Sequence, residues 1–166
     1  SWRIIKLEAT LGAHALAWDA LNQRHFQSNP MLDSRFVDAL LRHFGDGSER
    51  LCVLQDDAEP QAMCLLKPKG FGIWTAFLPA QAQIGPVLIR DPQYVKSLIR
   101  ELPGMVGQID FLCHDPAFGA VAASDQADHS VQEHALTMNI RLDADFDSYW
   151  AKRSKQLQKN LRRYER

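Results

Sequence analysis

Between Val131 and Leu142 the chain alternates. Leu136, Met138, Ile140 and Leu142 fall on one side, and Ala135, Thr137, Asn139 and Arg141 fall on the other. A period of two sustained over that length predicts a long, half-buried β-strand, because a helix would scatter the same apolar groups around its circumference. A strand with one apolar face needs neighbours along its edges and a layer over that face, so the chain must hold a covered sheet. Further strand signals agree. Leu51–Leu54 and Ala62–Leu66 flank the turn-rich run Asp56–Pro60 and predict a hairpin, and Gly70 sets off another strand through Ile73, Trp74 and Phe77. Short strands are also expected at Trp2–Leu7, at Val87–Ile89 after the loop Gln83–Pro86, and at Ile109–Cys113.

The covering layer reads as helices. Thr10 is expected to cap one that carries Ala17, Trp18, Leu21 and Phe26 at helical spacing. Asp33 or Ser34 should cap a second, with Phe36, Val37, Leu40, Leu41 and Phe44 repeating every three or four residues up to Gly45. Asp91 and Pro92 form a cap and first-turn pair for a third, through Tyr94, Leu98 and Leu102, closed by Pro103 and Gly104. Asp115 and Pro116 mark the start of a short helix before the polar loop Ser124–Ser130. The predicted order is β-α-α-β-β-β-β-α-β-α-β-α, a mixed α/β (α+β) domain with a mostly antiparallel sheet flanked by helices.

The final stretch, Asp145–Arg166, reads as one amphipathic helix. At 100° per residue Phe146, Tyr149, Trp150, Leu157, Leu161 and Tyr164 share one face, and Lys152, Lys155, Lys159, Arg162 and Arg166 lie opposite. No Gly, Asn or Pro closes it, so the pattern predicts a domain over residues 1–144 and a helix, 145–166, that leads into a further domain. From Lys152 onward there are 7 basic residues and 1 acidic residue, leaving 12 basic and 19 acidic in the remainder, although the net charge of the whole is only −1. Such a split offers the basic end to an anionic partner or to an acidic surface of the same protein. A nucleic acid would need aromatic platforms among the lysines, and here the aromatics sit on the other side, so none is expected.

Chemistry-bearing motifs are sparse. The histidines His14, His25, His43, His114, His129 and His134 show no zinc-ligand spacing, so no metal is expected, and they read as surface or cap groups. Glu133 and His134 would point to opposite faces of their strand. Neither a nucleophile-elbow glycine pattern nor a phosphate-binding loop ending in Gly-Lys-Ser/Thr is present. Cys52, Cys64 and Cys113 are odd in number and lie in apolar runs, as buried free thiols of a reducing compartment do. No apolar stretch reaches the roughly 18 residues of a membrane span, and a cytoplasmic location is the expectation.

Phe146-Asp147-Ser148-Tyr149-Trp150, then Arg153-Ser154-Lys155, Leu157 and Lys159-Asn160-Leu161-Arg162-Arg163, resembles the pattern F-x-x-Y-[LW]-x-x-x-S-K-x-[LR]-[RQ]-[RK]-N-L-R-R. That pattern occurs where two GNAT-like halves join in CelD-type acyltransferases, associated with cellulose and exopolysaccharide synthesis and related to Fem-type aminoacyl transferases. The loop Ile84-Gly85-Pro86 and the element order also look like the first half of such proteins. The resemblance implies a whole protein that transfers an acetyl or other acyl group from acyl-CoA to an amine or hydroxyl, on a saccharide or its precursor, with the acyl-CoA pocket chiefly in the second half. A pyrophosphate loop needs a glycine-rich turn at a helix N-terminus. None is found, so this chain is expected to be an inactive first half without a cofactor site of its own. Its partner would be the second domain of the same chain, and its last helix could pair two copies. Cleft candidates are Arg153 and Asn160, polar groups on the apolar helix face, with Trp74 and Phe77 near Pro79; a core role is the ordinary expectation for the two aromatics. The competing class is a non-catalytic module that docks a partner or an anionic surface through the basic helix.

Overall fold

The computed structural model describes residues 1–56, 59–115, 130–133, 135 and 145–164. They fall into two compact units, Ser1–Gln132 and Glu133–Arg166. The first unit is built on a six-stranded, mostly antiparallel sheet with helices, the α+β class that the sequence predicts.

Its elements are β1 (Trp2–Lys6), α1 (Ala15–His25), α2 (Ser34–Phe44), β2 (Arg50–Asp56), β3 (Glu59–Gly70), β4 (Ile73–Ala76), β5 (Val87–Leu88), α3 (Gln93–Glu101) and β6 (Gln108–Asp110). The sheet order is β1-β2-β3-β4-β6, with β5 also on β3. β1 lies antiparallel to β2 with Ile4 opposite Cys52, β2 to β3 with Cys52 opposite Cys64, and β3 to β4 with Leu66 opposite Ala76. β6 alone runs parallel to its neighbour, setting Ile73 opposite Gln108. A parallel partner requires a crossover, which α3 supplies.

β4 and β5 form one strand line with a break in it. The carbonyl of Leu65 accepts the Phe77 N–H at 2.9 Å, and the Leu65 N–H donates to the Pro86 carbonyl at 3.0 Å. One residue of β3 thereby holds both ends of an excursion over residues 78–85. β5 resumes the pairing at once, with Cys64 opposite Val87 and Met63 opposite Leu88.

Alternation along β2 and β3 sorts side chains into two cores. Leu51, Val53, Met63 and Leu65 face Trp18, Leu21, Val37 and Leu40 of α1 and α2. Cys52, Cys64 and Leu66 face the other way, toward Trp2, Leu98 and Leu102. Both faces of the central strands are covered, which is why these runs are almost wholly apolar. Buried polar groups within the α1–α2 layer are paired: the Trp18 indole donates to the Leu32 carbonyl at 2.6 Å, and Asp19 accepts from the Ser34 N–H at 2.8 Å and from its hydroxyl at 2.6 Å. Asp33 caps α2 through the Arg35 N–H at 2.9 Å, and the side-chain hydrogen bond from Arg35 holds its carboxyl down at about 2.

Several expectations change. Thr10 does not cap α1; Gly12 turns at φ +54, a 3-10 turn Gly12–His14 intervenes, and the Leu11 N–H goes to Asp38 of α2 at 2.7 Å. The strand expected over Ile109–Cys113 stops at Asp110, where the chain leaves the ladder, and Cys113 then takes a left-handed φ of 50. Of the long strand expected over Val131–Leu142, the described residues Val131, Gln132, Glu133 and Ala135 are exposed and unpaired in any ladder, while His134 and residues 136–142 lie outside the described residues, as does Pro116 of the expected short helix. The final helix is two, α4 (Phe146–Ala151) and α5 (Lys155–Tyr164). Ser154 breaks it by acting as a cap: its hydroxyl accepts the Leu157 N–H at 3.2 Å, while Gln158 donates to the carbonyls of Trp150 and Arg153, both at 3.0 Å. The aromatic residues of α4 therefore do not continue the apolar stripe of α5.

Leu65→Ala would empty a fully buried position between helices and sheet. We expect a loss of about 2–5 kcal/mol, read as a lowered urea midpoint with an unchanged slope.

Candidate functional site

The excursion 78–85 is clamped against the chain that follows β6. Gly85 donates its N–H to the Cys113 carbonyl at 3.3 Å, and a Cβ on Gly85 would sit 2.6 Å from the Leu112 carbonyl oxygen. Only glycine allows that approach. Beyond this crossing the chain places His114 over a small, partly open cavity lined by Phe26, Asn29, Leu32, Ile84, Val87 and Asp115. His114 Nε2 is buried there without a hydrogen-bond partner. Burial pushes the ring below its usual pKa, and the nearby Asp115 carboxylate pulls weakly the other way. An imidazole held toward its neutral form thus faces a small cavity next to the left-handed Cys113.

A second histidine lies at the end of α1. His25 Nδ1 is 3.5 Å from Arg90 Nη1, and its pKa is lowered by burial, then by Arg90 and Arg24. Arg24 is drawn to Glu59 at 2.8 Å. At the turn from β5 into α3, where an anion would meet free N–H groups, Asp91 already accepts the Gln93 N–H at 2.9 Å and also engages the Gln93 side chain. The positive end of α3 is filled by the chain's own carboxylate, which would repel a phosphate.

The four cleft candidates divide between the two units, Trp74 and Phe77 in the first and Arg153 and Asn160 in the second. Trp74 and Phe77, both buried, sit in opposite cores, Trp74 with Cys52 and Leu66 and Phe77 with Leu65 and Leu88, so they do not border a common groove. Arg153 lies in the break between α4 and α5, its guanidinium 4.3 Å from the centre of the Tyr149 ring, with Nε buried and unpartnered. Asn160 is exposed and accepts from Gln156 at 3.0 Å. Phe146 and Trp150 stack at 5.8 Å. Among the described residues no three His, Cys, Asp or Glu side chains are placed to share a metal ion, and no helix is long and apolar enough to cross a membrane.

His114 escapes a reading by motif because its environment is made by distant segments, the end of α1 and the Ile84-Gly85-Pro86 loop. The one local hint is the apolar run from Ile109 ending in Cys-His-Asp. No family model matches the chain, and no curated protein or solved structure matches it.

Because the folded state disfavours a charged His114, the unfolded chain binds the proton more readily, and stability should fall as pH drops through and below the ordinary histidine value of 6.5. His114→Gln should flatten that fall between neutral and mildly acid urea titrations, while the share contributed by His25, which acts in the same direction, remains.

Proposed function

We propose that the chain is the first half of a GNAT-like acyltransferase of the CelD type. The whole protein transfers an acetyl or other acyl group from acyl-CoA to an amine or hydroxyl of a saccharide acceptor or its precursor. The observation that carries this reading is the order of the first unit: a strand, two helices, antiparallel strands, then a helix crossing over to a strand parallel to β4. It follows the order that accompanies the joining pattern of residues 146–163 through β6. The occupied N-terminus of α3 supports placing the cofactor in the second half, since Asp91 takes the N–H that a pyrophosphate would need. Free thiols at Cys52, Cys64 and Cys113 suit a cytoplasmic location. Direct transfer asks for a group to take the acceptor's proton and donors for the developing oxyanion; the reading assigns both to the second half.

One observation favours a second reading. On α5, Lys155, Lys159, Arg162 and Arg163 are all exposed and fall within an arc of about 100°, opposite Leu157, Leu161 and Tyr164. That arrangement would serve a non-catalytic module docking an anionic partner. Calorimetric titration of acetyl-CoA separates the two. The chain alone should give no binding at micromolar strength, whereas a longer polypeptide with the second half should bind. Micromolar binding by the chain alone would defeat the cofactor-free assignment, and no binding by the longer polypeptide would favour the docking module.

In that longer polypeptide Arg153→Ala should lower turnover more than Lys159→Ala, because Arg153 has a buried nitrogen that its surroundings must satisfy while Lys159 is exposed. Equal losses in steady-state assays would return Arg153 to a surface role.

A further inference from the structure

Two large apolar side chains stand free on adjoining loops at one end of the sheet. Phe71, in the turn between β3 and β4, is 107% exposed, and Met105, in the loop between α3 and β6, is 94% exposed. The loops are pinned together by the Gly72 carbonyl, which accepts from the Gly107 N–H at 2.8 Å and the Gln108 N–H at 3.2 Å. Gly72 holds a φ of +67, and a Cβ there would lie 2.9 Å from the Met105 carbonyl, so the contact depends on glycine. Phe71 and Met105 are thus presented by a fixed backbone.

We propose that this two-pronged tip inserts into the interface of an anionic lipid surface. Size is the first argument. Two fully exposed side chains offer at most about 400 Å², roughly half of what one partner contributes to a stable protein interface. A bilayer needs no complementary surface, because lipid closes around each prong. Charge is the second. Residues 67–72 and 102–107, which make up the tip, include Lys67 and Lys69 and no carboxylate. The two ammonium groups reach Asp46 at 3.9 Å and Asp110 at 3.3 Å from outside the tip. Exposed pairs of that kind are weak, so both lysines can turn their heads to lipid phosphates while their stems lie along the apolar boundary.

The test is co-sedimentation of the chain with large vesicles of phosphatidylcholine alone and of phosphatidylcholine mixed with phosphatidylglycerol. The wild type should pellet with the mixed vesicles and much less with phosphatidylcholine. Phe71→Ser with Met105→Ser should lower the partition coefficient about tenfold or more. Leu16→Ser, which removes an exposed leucine of α1 outside the two tip loops, should leave it unchanged, and all variants should keep the wild-type thermal midpoint because none of the three side chains is packed. Lys155→Glu with Lys159→Glu separates the tip from α5 and should retain most of the binding. The proposal is overturned if the wild type stays in the supernatant, if both lipids bind equally, or if binding survives the tip variant and is lost in the α5 variant. It is also overturned if the tip variant changes only the oligomeric state, which would make the tip a protein contact.

Discussion

Leu65 offers its amide to one segment and its carbonyl to another. Because the two acceptor and donor partners, Pro86 and Phe77, bracket residues 78–85, a single peptide of β3 fixes where β4 ends, where β5 begins and how far the intervening loop can travel. The loop's return point then sets Gly85 against the Cys113 carbonyl, which in turn positions His114 over its cavity. Strand pairing in the middle of the sheet is therefore mechanically continuous with the irregular chain around His114. A central strand can act this way because it is covered on both faces and has no solvent-exposed backbone to trade for alternative partners.

The β2–β3 hairpin was legible in the sequence. Apolar runs around Leu51–Leu54 and Ala62–Leu66, separated by a turn-rich segment, leave few alternatives to a buried hairpin, and α2 with its Asp33 cap and three-four periodicity left few others. What escaped was set by contacts between remote residues. No local pattern says that Asp38 will claim the Leu11 N–H and displace Thr10 as the start of α1, or that β4 and β5 will share one line on β3. The division of the last helix has a local signal in Ser154, since serine is a good cap, but the continuous apolar stripe at 100° per residue is the stronger pattern. For the site, periodicity finds packed aromatic residues easily and so nominated Trp74 and Phe77; it is silent about His114, whose burial comes from segments far away along the chain.

The second unit carries a different kind of information. In α4 and α5 the residues that match the joining pattern are mostly exposed, and the cation over Tyr149, the stacked Phe146–Trp150 pair and the capping Ser154 and Gln158 organise the segment locally. Short helices of this length do not hold together in water on propensity alone. Their regularity rests on caps and side-chain pairs, and that suits a segment whose remaining apolar side chains, Leu157, Leu161 and Tyr164, stay available to others.

Cys52 and Cys64 face each other across β2 and β3, both without solvent exposure, and burial together with the bond to Cys52 pushes the Cys64 thiol well above its usual range. Neither sulfur is nucleophilic while the hairpin is closed. Cys113, half exposed at the crossing over Gly85, is free of that protection. The molecule thus contains two chemical clocks of its own. A thiol-directed reagent that consumes one equivalent quickly and two more slowly would time the separation of the central strands without any added label, and the slow phase would report the opening of the sheet's middle as distinct from fraying at its ends.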